Sequence, residues 1–112
     1  MLRTIKSSGE IDALFKRGSR AANNHVVVIA APTEPERGPL GRVVFIAGKR
    51  SGNAVFRSRG KRVLRAAVVR LQADWSGWDV ALIARPSAAA IPPQALDAAL
   101  KAALTRLGVM EQ

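Results

Sequence analysis

The chain contains no cysteine and no tyrosine, a single histidine, and only three phenylalanines and two tryptophans as aromatics. Without cysteine it can form neither disulfides nor thiolate metal sites, which is compatible with a reducing compartment. No uninterrupted apolar run approaches the ~18 residues that a membrane-spanning helix needs. Residues 1 to 20 alternate charged and apolar positions without the apolar block of a signal peptide, so a cytoplasmic location is the expectation. Acids are the other shortage. Eight Asp and Glu face 18 Lys and Arg, giving a formal charge of +10 and a pI near 11.7, a balance that points to a polyanionic partner.

Material for catalysis is also thin. Hydrolytic sites need a nucleophile with a base, paired carboxylates, or a metal held by His, Asp or Glu. His25 opens an apolar strand, where a structural role is the plainer reading. Asp74 and Asp79 flank a glycine turn, a place where Asp is common for backbone reasons. Glu34 and Glu36 sit in a proline-rich loop with no rigid frame. The spacing of Gly48, Gly52 and Gly60 matches neither G-x-G-x-x-G nor the Walker lysine arrangement. No residue is assigned a catalytic or metal-binding role.

What the chain does have is concentrated charge of one sign. Between Arg37 and Ala73 there is no Asp or Glu, while Lys49, Arg50, Arg57, Arg59, Lys61, Arg62, Arg65 and Arg70 all fall within that interval. From Asn53 to about Gln72 only Gly60 argues against a helix. At ~100° per residue Phe56, Gly60, Val63, Leu64, Ala67 and Leu71 form one stripe. Arg57, Lys61 and Arg65 run down an adjoining face, with Arg59 and Arg62 further round. Like charges at i and i+4 cost a few tenths of a kcal/mol each in an isolated helix, a cost that a polyanion reverses. A solvated basic face is the bland alternative; the missing carboxylates and the charge of the whole chain favour nucleic acid.

The flanking elements read as a scaffold. Ser7-Ser8-Gly9-Glu10 has capping-box spacing before a short helix carrying Ile11, Leu14 and Phe15, with Gly18 as its left-handed stop. Residues 1 to 6 show no period, and residues 19 to 24 are a polar break. His25 to Ala31 and Arg42 to Ala47 are expected strands joined across the proline-rich segment Pro32 to Pro39, close enough in sequence to pair antiparallel. Asp79 to Ala84 is a third strand, so the basic helix lies in a crossover. Pro92-Pro93 opens a last helix with Leu96, Leu100, Ala103, Leu104 and Leu107 at helical spacing and Gly108 as its stop. The expected fold is α+β: one domain over residues 1–112, a small mainly antiparallel sheet with covering helices in the order α-β-β(-β)-α-β-α.

The run Lys49-Arg50-x-Gly52-Asn53-Ala54-Val55-x-Arg57-x-Arg59-x-Lys61-Arg62-x-x-Arg65 closely resembles the signature of the protein subunit of bacterial ribonuclease P, K-K-x-G-N-A-V-x-R-N-R-x-K-R-x-x-R. The resemblance extends to the helix end Phe15-Lys16-Arg17-Gly18 and to the Asp79 strand ending in Ala84-Arg85, and it covers essentially the whole chain. It implies a small protein that assists a catalytic RNA in removing the 5′ leader of precursor tRNA. It further implies that the RNA carries out hydrolysis with Mg2+ bound through the RNA and substrate; no protein-only metal site is evident among the residues. It also implies that Lys49, Arg50, Asn53, Arg57, Arg59, Lys61, Arg62 and Arg65 contact the catalytic RNA. Phe15 would lie near a cleft for the single-stranded leader, and the β-α-β crossover around the basic helix would be left-handed.

Three positions depart from the family pattern. Ser58 stands where Asn is usual, Gly48 where Ser is usual, and Gly60 where an apolar residue is usual, the last at a helix cost of about 1 kcal/mol relative to Ala. Aromatics that would stack on single-stranded RNA are scarce in the first strand, so leader contact would lean on backbone and charge. Two other classes share the charge, a ribosomal or RNA-chaperone binding module and a membrane-surface protein. Neither needs the G-N-A-V-x-R-x-R spacing.

Overall fold

The computed structural model describes residues 2–38, 40–48, 53–72 and 74–110. Five strands, β1 (Arg3–Thr4), β2 (Ser19–Ala22), β3 (Val26–Pro32), β4 (Arg42–Ala47) and β5 (Trp78–Ala84), form one sheet in the order β1-β4-β5-β3-β2. Helices α1 (Ser8–Arg17), α2 (Ala54–Arg70) and α3 (Pro93–Arg106) cover it. The α+β class is as expected, and the sheet is mixed. The antiparallel ladders, β3 with β5 and β2 with β3, run for seven and four positions, and the parallel ones, β4 with β5 and β1 with β4, for six and two.

The expected hairpin between the strand beginning near His25 and the strand Arg42–Ala47 does not form, because β5 lies between them. Nearness in sequence is its only support, and burial decides otherwise. Asp79 to Leu82 are all buried, so β5 needs neighbours on both edges and a helix on each face. The proline-rich connection spans the gap of two strand spacings, roughly 10 Å. It is held at the head of β5 by Thr33 N–H donating to the Gly77 carbonyl at 2.8 Å.

Two edge strands carry too little apolar pattern to be read from sequence. Residues 1 to 6 include β1, whose Arg3 N–H donates to the Gly41 carbonyl at 2.9 Å. A Cβ on Gly41 would stand 2.4 Å from the Trp75 carbonyl oxygen, so only glycine fits this approach. The polar break contains β2, which returns to β3 through a turn at Asn23. The Asn23 side-chain oxygen accepts from His25 N–H at 3.0 Å and Val26 N–H at 3.1 Å, and its amide donates to the Ala99 carbonyl at 2.9 Å. Short, charged edges of this kind discourage pairing with other chains.

The sheet has two differently dressed faces. Val26, Val28, Ala30, Val43, Val80, Leu82 and Ala84 pack with Leu64, Ala67 and Val68 of α2 and with Leu96, Leu100, Ala103 and Leu104 of α3. On the other face Val27, Ile29, Ala31, Val44 and Ala81 pack with Ile5 and with Leu14 of α1. Ser7 caps α1, accepting from Glu10 N–H at 3.4 Å. Gly18 is not a left-handed stop: its φ is −78°. Glycine is needed there because a Cβ would lie 2.5 Å from Ile29 Cγ2 and 2.7 Å from the Leu14 carbonyl oxygen. Gly108, with φ +82°, does end α3 in the left-handed conformation, and Pro93 opens that helix.

One buried charge ties the elements together. Asp79 is 1% exposed. Its carboxylate accepts from Arg42 Nε at 2.9 Å and Arg42 NH2 at 2.8 Å, from Arg17 NH2 at 2.9 Å, and from Thr33 Oγ1 at 2.9 Å. Arg42 also donates to Glu10 Oε2 at 2.6 Å, and Arg17 to the Pro32 carbonyl at 2.6 Å. Burial pushes the Asp79 carboxyl upward, but hydrogen bonds from Arg42 and Thr33 and the charges of Arg42 and Arg17 outweigh it and hold the group below the ordinary carboxylate range. Arg42 is correspondingly held in its charged form, chiefly by its bond to Asp79.

Asp79→Asn leaves Arg42 and Arg17 without their shared counter-charge and is expected to destabilise the fold by about 3–5 kcal/mol, the usual cost of removing one partner of a buried pair. Because the folded Asp79 pKa is depressed, its contribution is complete above the unfolded value near ~3.9 and is lost as pH falls through the folded value. Urea midpoints should therefore drop with acid below about pH 4, and drop less in Asp79→Asn; identical acid profiles would contradict the network. On α2, Leu64 is 0% exposed, so Leu64→Asp should unfold the domain, whereas Arg59→Ala should shift stability by no more than about 0.5 kcal/mol. Circular dichroism melts compare the two.

Candidate nucleic-acid interface

Asn53 starts α2: its side-chain oxygen accepts from Val55 N–H at 3.1 Å and Phe56 N–H at 3.2 Å. The cap fixes where the helix begins and hence which residues face out. Gly60 then lets α2 approach the ends of two strands, since a Cβ there would meet Ala84 Cβ at 3.0 Å and Ala47 Cβ at 3.9 Å. The glycine that costs helix propensity is the one that admits the crossover to the sheet.

From Gly60 over the last residues of β4 and β5 the helix runs inward, with Arg65 above Phe45. Its first turn therefore projects past the strand ends. For that reason Phe56, expected on the packed stripe, is 54% exposed. Gly60, Leu64 and Ala67 are buried as expected, joined by Val68, while Val63 and Leu71 are half-buried.

The outward face keeps one sign. Arg59, Arg62 and Arg65 are exposed, and Arg57 and Lys61 flank the contact with the sheet and are half-buried. None of these five has an ion-pair partner among the described residues. Arg70, in the last turn, differs: its guanidinium donates to both oxygens of Asp97 at 2.8 Å, which holds that carboxyl below its ordinary range and locks α2 to α3. Lys49 and Arg50 lie outside the described residues. Ser58 is exposed among the arginines, and a Cβ added to Gly48 would meet nothing within 4 Å.

The opposite face of the sheet offers a second surface. Ala22, Val27, Ile83 and Ile46 are aligned in register across β2, β3, β5 and β4. The next row, Ile29, Ala81 and Val44, is buried, with α1 packed on this face. Beyond it lie Asp79 and Arg42, which hold Arg17 and Glu10 of α1. The helix is thus pulled toward the heads of β4 and β5, and Ala22, Ile46 and Ile83 toward their tails stay half-buried.

Phe15 is 43% exposed. At ~100° per residue it sits on the Ile11 side of α1, away from Arg17, and Ile11 packs with the same cluster as Ile46 and Ile83. Period-two alternation adds two cations to this face that are not among the expected RNA contacts: Arg85, two residues beyond Ile83, and Arg20, opposite Ile29. Both are exposed.

The remaining candidates resolve into structural parts. His25 Nδ1 lies 2.7 Å from Ser87 Oγ, which donates to the Asn24 carbonyl at 2.8 Å. Asp79 is committed to the buried network, and Asp74 is exposed and accepts from Ser76 Oγ at 3.3 Å. Among the described residues no three of His, Asp or Glu lie close enough together to hold a metal ion, and no helix is long and apolar enough to cross a membrane.

Known proteins share both the sequence and this architecture. The family pattern described as Ribonuclease P matches residues 2–108. The chain is 37% identical over 113 residues to the Ribonuclease P protein component of Brevibacillus brevis, covering 96% of this chain and 85% of that one. It is 33% identical over 106 residues to that of Bacillus mycoides, covering 94% and 90%. The fold is that of the Staphylococcus aureus RNase P protein, with a TM-score of 0.79 at 24% identity over 95% of each chain. It is also that of the Thermotoga maritima RNase P protein, with a TM-score of 0.74 at 19% identity over 98% and 99%. With the family pattern matched over residues 2–108 and more than 30% identity to these relatives along nearly its full length, the chain belongs to the ribonuclease P protein family.

Proposed function

We propose that this chain binds the catalytic RNA of ribonuclease P through α2 and the single-stranded 5′ leader of precursor tRNA through the α1 side of the sheet, assisting endonucleolytic removal of that leader. The observation that carries the reading is the division among its cations. Arg17, Arg42 and Arg70 are paired with carboxylates inside the protein, while Arg57, Arg59, Lys61, Arg62 and Arg65 are left for an outside partner on one helix. Phosphates are the anion that a stripe of this length matches. Lys49 and Arg50 extend it in sequence, and Asn53 contributes by capping the helix that presents it.

The floor formed by the half-buried Ala22, Ile83 and Ile46 beside the buried Val27, with Phe15 at its side and Arg20 and Arg85 near its ends, suits an extended strand. Phe15 supplies a stacking face, the aliphatic row supplies contact with sugars and bases, and the arginines meet phosphates. The chemistry itself is assigned to the RNA. Mg2+ held by RNA and substrate provides the activated water and charge stabilisation, and the protein contributes positioning and screening of phosphate repulsion.

Binding to the catalytic RNA should weaken steeply with salt. With about six phosphates neutralised, a log-log slope of several negative units is expected, at roughly −0.7 to −0.9 per phosphate; a slope near −1 contradicts the charge stripe. Precursor-tRNA cleavage by a bacterial ribonuclease P RNA at low magnesium should be accelerated by the chain, and raising magnesium should largely restore cleavage to the RNA alone. The acceleration should shrink when the leader is trimmed to one or two nucleotides, and Phe15→Ala should cost activity only on the longer leader. If trimming leaves the acceleration unchanged, the sheet face is not the leader site.

A further inference from the structure

Among the uncommitted cations of α2, Arg65 alone lies over a ring among the described residues. Its guanidinium carbon is 5.2 Å from the centroid of Phe45, inside the ~6 Å range of a cation–π contact. Phe45 is itself fixed: it lies in β4 opposite Leu82, half-buried against the core on the α2 face. Arg65 has no ion-pair partner among the described residues. The ring thus holds an otherwise free side chain without neutralising it.

We propose that Phe45 is a positioning residue for RNA binding, holding the Arg65 guanidinium flat so that its N–H edge is presented to a pair of phosphate oxygens of the RNA. This rests on the reading of α2 as the RNA-facing helix. A guanidinium recognises phosphate through two parallel N–H bonds in its own plane. A free arginine gives up rotamer freedom to reach that geometry, whereas one already held over a core-anchored ring has surrendered part of it before binding. Arg59 and Arg62, exposed on the same helix, have no ring contact of this kind among the described residues, so the effect belongs to Arg65.

A double-mutant cycle on affinity for a bacterial ribonuclease P RNA transcript tests this, with melting curves confirming that each variant is folded. Phe45→Leu should weaken binding about three- to tenfold and leave the salt slope unchanged, since no charge is lost. Arg65→Ala should weaken binding and reduce the slope by roughly 0.7 to 0.9. In the Arg65→Ala background Phe45→Leu should have no further effect, and Phe45→Tyr, which keeps a ring, should bind as the parent does.

The proposal is overturned if Phe45→Leu costs as much without Arg65 as with it, for then the ring acts through the fold, or if it costs nothing. Should Phe45→Leu fail to fold, Phe45→Met takes its place in the cycle with the same expectations. If Arg65→Ala is silent while Arg59→Ala weakens binding, the positioning role fails and the RNA-facing helix stands. If every arginine change is silent, the reading of α2 fails with it.

Discussion

The Asp79 carboxylate is the point on which the rest of the structure hangs. A buried carboxylate alone would cost several kcal/mol, and the chain offsets this with donors drawn from separate elements. Arg17 comes from the end of α1, Thr33 from the loop after β3, and Arg42 from the first residue of β4. No one of these contacts is local in sequence: 62, 46 and 37 residues separate the partners. The network therefore forms only when β5 lies between β3 and β4 with α1 across them. It specifies the strand order as well as stabilising it, since a hairpin of β3 with β4 would leave no central place for the strand carrying Asp79.

The same contacts decide where open surface is left. Arg17 and Glu10 anchor α1 over the heads of the strands, so the helix covers one end of its sheet face and leaves the row at the other end partly uncovered. On the other face the close approach at Gly60 brings α2 onto the tails of β4 and β5. Both candidate surfaces consequently border the same edge of the molecule, where β4 and β5 end and α2 begins. On the proposed reading, a catalytic RNA on one surface and the leader on the other would lie side by side across that edge.

The basic helix, the last helix and the strand Arg42–Ala47 were legible in the sequence because each carries a strong local signal: one-signed charge with an apolar stripe, a Pro start with a Gly stop, and a β-branched run. The motif from Lys49 to Arg65 made the family legible as well. Strand order was not, because it depends on pairings between distant segments, and Asp79 looked like a turn residue when its partners were unknown. β1 and β2 were hidden by their brevity and polarity. Phe56 was misplaced by helical periodicity, which says which residues share a face but not how far along the helix the face is covered.

Stability and binding make opposite demands on positive charge, and the chain separates them by location. Arg17, Arg42 and Arg70 are consumed by acids that join one element to another, and Arg42, with its side chain 14% exposed, is the most covered of the three. The five cations between Arg57 and Arg65 repel one another along α2, at a few tenths of a kcal/mol for each adjacent like pair. That repulsion is tolerable because α2 is fastened elsewhere: by Asn53 at its start, by Leu64, Ala67 and Val68 in the core, and by Arg70 to Asp97 at its end. A helix held by its cap, its buried face and its last turn can leave the charge on its outer face unsatisfied within the protein. In the proposed complex the like-charge repulsion carried by the isolated protein would be released on binding phosphate, and on that reading the absence of carboxylates between Arg37 and Ala73 belongs to the complex rather than to the fold.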